Sequence, residues 1–568
     1  MVTPNLTAER LSRHRGLQEP NLRAHQGLVL LCITGAVVEA VFVGWLGPRP
    51  ALALAPQATA PAPWAVFHDL RWLLVYTHSW LTVGLESLAF VVVRGGLTAV
   101  TVWLAWPQDR DRPSFVTLAR RAVTFTIAAA VLLTFSASLL VGLAVISVSY
   151  LFFASVPVAL LLALLLHHGP VVDWWRAGPT LRTVGWAALT FVMLSLGGAA
   201  IAVSPWPLSI VVAAAAGLFN AWAWLGITRA LALRESRRFV PLAPIGIAAL
   251  AAVVIIGVVV AVQLQTARHG IADATASSTA DNGTGQPVLV VTGYDSHWRG
   301  GDSLDFGPGL VQRRFSYAGM TPTGRPAVFT GRDTDKPLPE LVHLMQQQVQ
   351  AFAQETGRRI DIVSDSQGAL VAKVFLLVHP DAPVRVHVLT SPLVEPGRAY
   401  FPVAGSNGYG IVAGYELRGV SAALRALTPL DFSPDGPFLR SVADNAPLLQ
   451  SWLLCPLPNT TELTLFPLAD AVGAPYDATR HVRAAVLPAF HGKLLQDGSS
   501  QRAIGEYLRT GKMHGYRGLR LTERIVRAAA AAWQAPSLRM NLNHVWGPDA
   551  DHNRDCATTT AHLREWIG

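Results

Sequence analysis

Apolar residues fill most of the first half of this chain, give way near residue 265, and return further on as short runs separated by polar turns. A helix needs about 20 apolar residues to cross a bilayer. Segments 27–46, 183–203, 208–230 and 244–262 each meet that length. The run 122–166 is too long for one crossing and predicts a helical hairpin. Between residues 72 and 106 the pattern is interrupted by Glu86, Arg94, Gly95 and Gly96, which predicts one span with room for a re-entrant or interfacial piece. The sum is an α-helical transmembrane domain of about seven spans over 1–265.

Residues 266–286, rich in Ala, Ser, Thr, Asp and Gly, have no hydrophobic period and read as a flexible linker. Beyond it, apolar runs at 287–291, 360–363, 386–389, 461–466 and 482–490 have strand length, and 338–356, 369–378 and 501–509 carry helical spacing. Strands alternating with helices predict an α/β domain over 287–568, its mostly parallel sheet covered on both faces. Segment 395–452 mixes Gly, Pro and aromatic residues without period and reads as a cap over a site. No internal repeat is evident.

One stretch carries chemistry. The strand 360–363 runs into Ser364-Asp365-Ser366-Gln367-Gly368 and then into the helical run from Ala369. A sharp strand-to-helix turn crowds its own backbone, so it needs small residues two positions either side of the central serine. Ser364 and Gly368 satisfy that need. Such a turn exposes the Ser366 hydroxyl, and the helix start aims unpaired N–H groups at developing negative charge. Ser366 is the candidate nucleophile. An acid and a base then follow in the order Ser, Asp, His: Asp470 lies after the strand 461–466, and His491 ends the strand 482–490. His491 would take and return the Ser366 proton while Asp470 fixes its tautomer. Asp477 is the second choice of acid. Upstream, the apolar run 287–291 breaks into Thr292-Gly293-Tyr294, and the backbone N–H groups of Tyr294 and Gln367 are the candidate oxyanion hole. Asp295 and His297 beside it fit substrate contact or plain turn and surface roles.

Residues 286–510 resemble the α/β-hydrolase family, most closely its lipase and esterase members. Pro287-Val288-Leu289-Val290-Val291-Thr292-Gly293 is similar to the family's strand and oxyanion turn, Ser366-Gln367-Gly368 to its elbow, and His491-Gly492-Lys493-Leu494-Leu495 to its histidine segment. The chain departs from the family where Ser364 replaces the usual glycine and Thr292 a frequent histidine. The resemblance implies hydrolysis of an ester or thioester through an acyl-enzyme, without cofactor or metal. An acyltransferase would use the same triad, and a transporter or receptor could carry a non-catalytic hydrolase-like domain.

Composition sharpens the membrane half: 51% of residues are hydrophobic, only 14% are charged, and the mean hydropathy is +0.36. The net charge of +9 comes from arginines gathered before the first span and at 110–121, 176–182 and 229–238, while 48–63, the hairpin turn and 204–207 carry almost none. Positive loops stay cytoplasmic, so the expected arrangement in the cell membrane is a cytoplasmic N-terminus and an extracytoplasmic hydrolase domain. Membrane lipids and a small-molecule or lipid ester are the expected partners; no nucleic-acid motif appears. A cleaved signal cut near 51–55 is weighed against retention as an anchor, and the further spans favour retention.

Three cysteines complete the inventory. Cys32 reads as a small apolar residue in the first span, and Cys455 and Cys556 are either free or disulfide-bonded. Glu39, Glu86 and Arg94 lie in or beside spans, where a buried Glu–Arg contact or a transport path would account for them. Asp549, Asp551, Asn553 and Asp555 alternate like the start of a calcium loop, but Arg554 and Thr560 stand where its glycine and glutamate belong, so a solvated acidic loop is expected.

Overall fold

A computed structural model describes residues 19–46, 49–143, 169–172, 180–232, 285–301, 304–394, 396, 401–427, 433–449, 451–467, 484–487, 489, 491–513, 555–568 and a few positions between 521 and 536. Its membrane half contains α1 (Glu19–Leu46), a 3-10 helix (Arg49–Gln57), α2 (Ala62–Tyr76), α3 (Trp80–Leu104), α4 (Phe115–Leu143), α5 (Leu181–Val203) and α6 (Trp206–Ala232). Among the described residues, five helices are long and apolar enough to cross a membrane: α1, α3, α4, α5 and α6. The second arm of the expected hairpin, the expected span 244–262 and the linker up to residue 284 lie outside the described residues.

The one span expected within 72–106 is α3, which does not begin until Trp80. Thr77 is extended, and Ser79 starts α3 with a capping box in which its side chain accepts from the Thr82 N–H and the Thr82 side chain accepts from the Ser79 N–H. The connection 48–63 folds inward: residues 51–55 are at most 3% exposed and pack inside the bundle. An irregular, proline-containing backbone is tolerated at membrane depth only where other groups take its hydrogen bonds. Asn220 Nδ2 donates to the Pro56 carbonyl at 2.9 Å, Arg94 Nη1 to that of Ala58 at 2.9 Å, and Trp224 Nε1 to that of Thr59 at 3.2 Å.

The second half contains β1 (Gln286–Val291), β2 (Leu310–Arg314), α7 (Leu338–Thr356), β3 (Ile360–Asp365), α8 (Gln367–Val378), β4 (Val384–Thr390), α9 (Ile411–Leu427), α10 (Pro437–Asp444), α11 (Ala446–Leu449), β5 (Thr461–Pro467), β6 (Ala484–Leu487), α12 (Gly498–Thr510) and α13 (Cys556–Ile567). Its six strands form a wholly parallel sheet in the order β2-β1-β3-β4-β5-β6. Alternate residues of each strand serve opposite cores. Leu289, Val291 and Ile362 face one with α7, α8 and α13, while Val288, Val290 and Val363 face the other with α12. The strand order reverses between β1 and β3. In sheets of this kind the crevice outside the strands' carboxyl ends at that point is where ligands bind.

The two halves touch. Helix α9 packs on α4 and α2, Tyr415 meets Trp80 edge-on with ring centres 5.1 Å apart, and the Gly408 N–H donates to the His78 carbonyl at 2.8 Å. Ala532 and Trp533, distant in sequence from any span, also lodge among the membrane helices. Trp533 stacks on Phe191 and meets Trp64 and Phe67, and its Nε1 donates to Ser195 Oγ at 2.9 Å. The Ala532 carbonyl accepts from Gln57 Nε2 at 2.6 Å and from the buried Arg71 Nη1 at 3.1 Å. Cys455 and Cys556 form a disulfide that ties the segment before β5 to the start of α13. Asp555 caps α13, accepting from the Ala557 and Thr558 N–H groups, while positions 549, 551 and 553 lie outside the described residues.

Candidate active site

Ser366 sits between β3 and α8 with φ 53° and ψ −116°, backbone values that a residue with a side chain rarely adopts. The surroundings hold it there. Its N–H donates to the Thr390 carbonyl at 3.0 Å, and its own carbonyl accepts from the Ala369 N–H at 3.0 Å. Close packing explains the small neighbours. A Cβ on Gly368 would lie 2.7 Å from the Thr292 carbonyl oxygen and 2.8 Å from Val291, and one on Gly293 would lie 3.1 Å from Ser366 Cβ. Glycine is what lets the end of β1, the turn and the start of α8 meet.

Ser366 Oγ lies 2.9 Å from His491 Nε2, across 125 positions of sequence. This is hydrogen-bonding distance for proton transfer between a hydroxyl and an imidazole. Asp470 and Asp477 lie outside the described residues. The loop after β1 arrives beside the serine: Asp295 N–H donates to Thr334 Oγ1 at 3.0 Å, Tyr317 Oη–H donates to the Thr292 carbonyl, and Thr292 Oγ1 pairs with Ser296 Oγ at 2.8 Å. Burial and the nearby carboxylates of Asp335 and Asp295 push the Tyr294 phenol up, so it remains protonated. Its ring packs on Phe438 of α10, 6.0 Å between centres. The Gln367 side chain is held by its Nε2, which donates to the Thr334 carbonyl at 2.7 Å. The first N–H groups of α8 have no carbonyl partner within the helix.

Beneath the turn is a polar chain that sequence reading missed. Ser364 Oγ lies 2.7 Å from His387 Nε2, His387 Nδ1 lies 3.7 Å from Glu462 Oε1, and Lys373 Nζ donates to Glu462 Oε2 at 2.5 Å. Ser364, His387 and Lys373 are almost wholly buried. Burial and the Lys373 charge hold the His387 imidazole below its ordinary 6.5, against the pull of Glu462. Burial lowers Lys373 as well, although Glu462 opposes it. For Glu462 burial acts upward, but the His387 and Lys373 contacts outweigh it and keep the carboxylate ionised. The signal was present in the sequence as a histidine inside the apolar run Val386-His387-Val388 and a lysine inside the apolar helix α8. Here Ser364, at the position where the resembled family carries glycine, uses its hydroxyl to tie β3 to β4.

Among the described residues no cluster of metal-ligating side chains is present. Glu39, Glu86 and Arg94 do not meet one another as a Glu–Arg pair would. Arg94 donates to both oxygens of Asp69 at 2.6 Å each, Glu39 Oε1 lies 2.6 Å from His68 Nε2, and Glu86 is exposed. Compared with protein-family models, curated proteins and solved structures, the chain matches none.

Proposed function

We propose that this chain is a membrane-anchored serine hydrolase, an α/β-hydrolase-type domain carried on a multi-span anchor, that cleaves carboxylic esters. The observation that carries the reading is the 2.9 Å contact between Ser366 Oγ and His491 Nε2 at a serine held in a strained strand-to-helix turn. In this mechanism His491 removes the Ser366 proton as Oγ attacks the ester carbonyl. The oxyanion draws on the backbone N–H groups of Tyr294 and Gln367. The alcohol leaves with the proton held by His491, and water, activated by the same imidazole, releases the acid from the acyl-enzyme. Asp470 is assigned as the carboxylate that orients His491.

Placement supports a lipophilic substrate. The 395–452 segment reaches the site through Phe438 on Tyr294 and the membrane helices through Tyr415 on Trp80, so one segment borders both the crevice and the bilayer half. Tethering raises the local concentration of esters dissolved in the membrane. A fluorophosphonate probe applied to isolated membranes tests the reading. Wild type is expected to label, Ser366→Ala to lose all labelling, and His491→Ala to label at least about a hundredfold more slowly, the usual weight of a general base. Correctly folded wild type that takes up no probe would overturn the proposal.

A further inference from the structure

The membrane half contains a cavity of about 460 Å³ between α1, the irregular turn after the 3-10 helix, α2 and α3. Its walls are mostly hydrocarbon, including Leu31, Val38, Phe42 and Leu97, and the last three are exposed on the outer faces of α1 and α3, where lipid meets a spanning helix. One end is polar. There Glu39 and His68 line the cavity, with His68 Nε2 2.6 Å from Glu39 Oε1 and His68 Nδ1 2.9 Å from Asp69 Oδ1. Arg94 grips Asp69 through two donors and so keeps it ionised, which puts a proton on His68 Nδ1.

The charge of this end follows from counting. Arg94 and Asp69 cancel, and Arg71, which interacts with both Glu39 and Asp69 but does not line the cavity, adds a positive charge beside this end. One proton lies between His68 Nε2 and Glu39 Oε1, and whichever atom holds it, the pair is neutral overall. Trp72 Nε1 lies 3.2 Å from His68 Nε2 and donates to it when the shared proton sits on Glu39. Glu39 Oε2 has no hydrogen-bond partner among the described residues, and the Glu39 side chain keeps 18% of its surface accessible, beside the cavity. The Arg94 donors are already held by Asp69 and the Ala58 carbonyl, so a phosphate or carboxylate entering here would meet the open Glu39 acceptor, and an ammonium would add to the Arg71 charge. An uncharged hydroxyl can donate to Glu39 Oε2 while its hydrocarbon fills the walls.

We propose that this cavity is a binding site, separate from Ser366, for a membrane lipid whose polar end is a single uncharged hydroxyl, held by Glu39 beside His68. Its volume lies in the range of pockets that enclose small molecules, roughly 300–1,000 Å³. Irregular backbone at membrane depth occurs where it is buried in protein or lines a cavity.

The test uses the full chain in phosphatidylcholine nanodiscs and a photoactivatable, clickable hexadecanol. Crosslinks are expected on peptides holding Leu31 to Val43 or Leu97 to Thr101, with competition by plain hexadecanol and much weaker competition by palmitate or hexadecylamine. Leu97→Trp, which fills the cavity mouth from an exposed position, should abolish these crosslinks. Glu39→Leu should weaken them about three- to tenfold, the weight of one hydrogen bond, while Glu39→Gln, which keeps an acceptor, should not. Equal competition by all three amphiphiles, crosslinks confined to other segments, or a monodisperse Leu97→Trp protein that labels like wild type would each overturn the proposal. If a variant fails to fold, the competition series on wild type decides alone.

Discussion

His387 shows how one buried side chain writes itself into the pH dependence of the whole domain. Burial, aided by Lys373, keeps the folded imidazole neutral at pH values where an unfolded histidine takes up a proton. The unfolded chain therefore binds more protons below about pH 6.5, so His387 costs the fold stability as pH falls through that value and nothing above it. Replacing it with Gln, which can still hydrogen-bond to Ser364, should flatten that part of the profile. The drop in melting temperature of the purified protein from about pH 7 to about pH 5 is expected to be smaller in His387→Gln than in wild type. Parallel drops would remove His387 as the cause. Asp361 acts in the opposite sense and leaves the comparison intact: burial, against Arg385, lifts it to about 6, and it is present in both proteins.

At the scale of elements, apolar runs of the right length were enough to read most of the sheet and the described spans. The strand predicted at 461–466 is Thr461–Pro467, and the helix predicted at 338–356 is α7 without change of bounds. β2 was invisible because Leu310-Val311-Gln312-Arg313-Arg314 has neither alternation nor an apolar run and is held as a strand by pairing with β1 at the sheet edge. The Ser366 turn was legible because its chemistry is local in sequence. The pairing of His68 with Glu39 and of Arg94 with Asp69 was not, since it depends on how separate helices pack. Trp533 is the extreme case, a single aromatic with no periodic neighbours whose role comes entirely from Trp64, Phe67 and Phe191. Removing so large a buried ring leaves a cavity, so Trp533→Ala should destabilise the membrane half by about 3–5 kcal/mol. Trp533→Phe keeps the ring contacts and loses only the Ser195 hydrogen bond, about 1 kcal/mol. Thermal aggregation of the detergent-solubilised protein, followed by size-exclusion chromatography, should rank the two in that order. Equal melting of both variants and wild type would mean that the segment carrying Trp533 is only loosely held.

For the whole molecule the open question is which side of the membrane holds the sheet domain, and two independent features bear on it. Apart from Arg49 and the buried Arg71 and Arg94, the basic residues of the described membrane half cluster at alternate ends: Arg23 lies near the start of α1, Arg110, Arg112, Arg120 and Arg121 precede or open α4, Arg182 opens α5, and Arg229 closes α6. Loops rich in arginine stay in the cytoplasm, and an odd number of crossings from a cytoplasmic N-terminus leaves the sheet outside. The second feature is the Cys455–Cys556 bond, which spans 101 positions and encloses β5, β6 and α12. A closure of that length restricts the unfolded chain enough to stabilise the fold by about 4–5 kcal/mol in the chain-entropy description, and it persists only where thiols are not kept reduced. An extracytoplasmic sheet predicts that an impermeant phosphine added to intact cells will open the bond and let an impermeant maleimide label the partly exposed Cys556, while Cys32, buried in α1, stays unlabelled. The reduced protein should then melt earlier than the untreated one. Labelling that requires lysis of the cells, or thiols already free in untreated cells, would put the sheet in the cytoplasm and leave the arginine pattern needing one more or one fewer crossing.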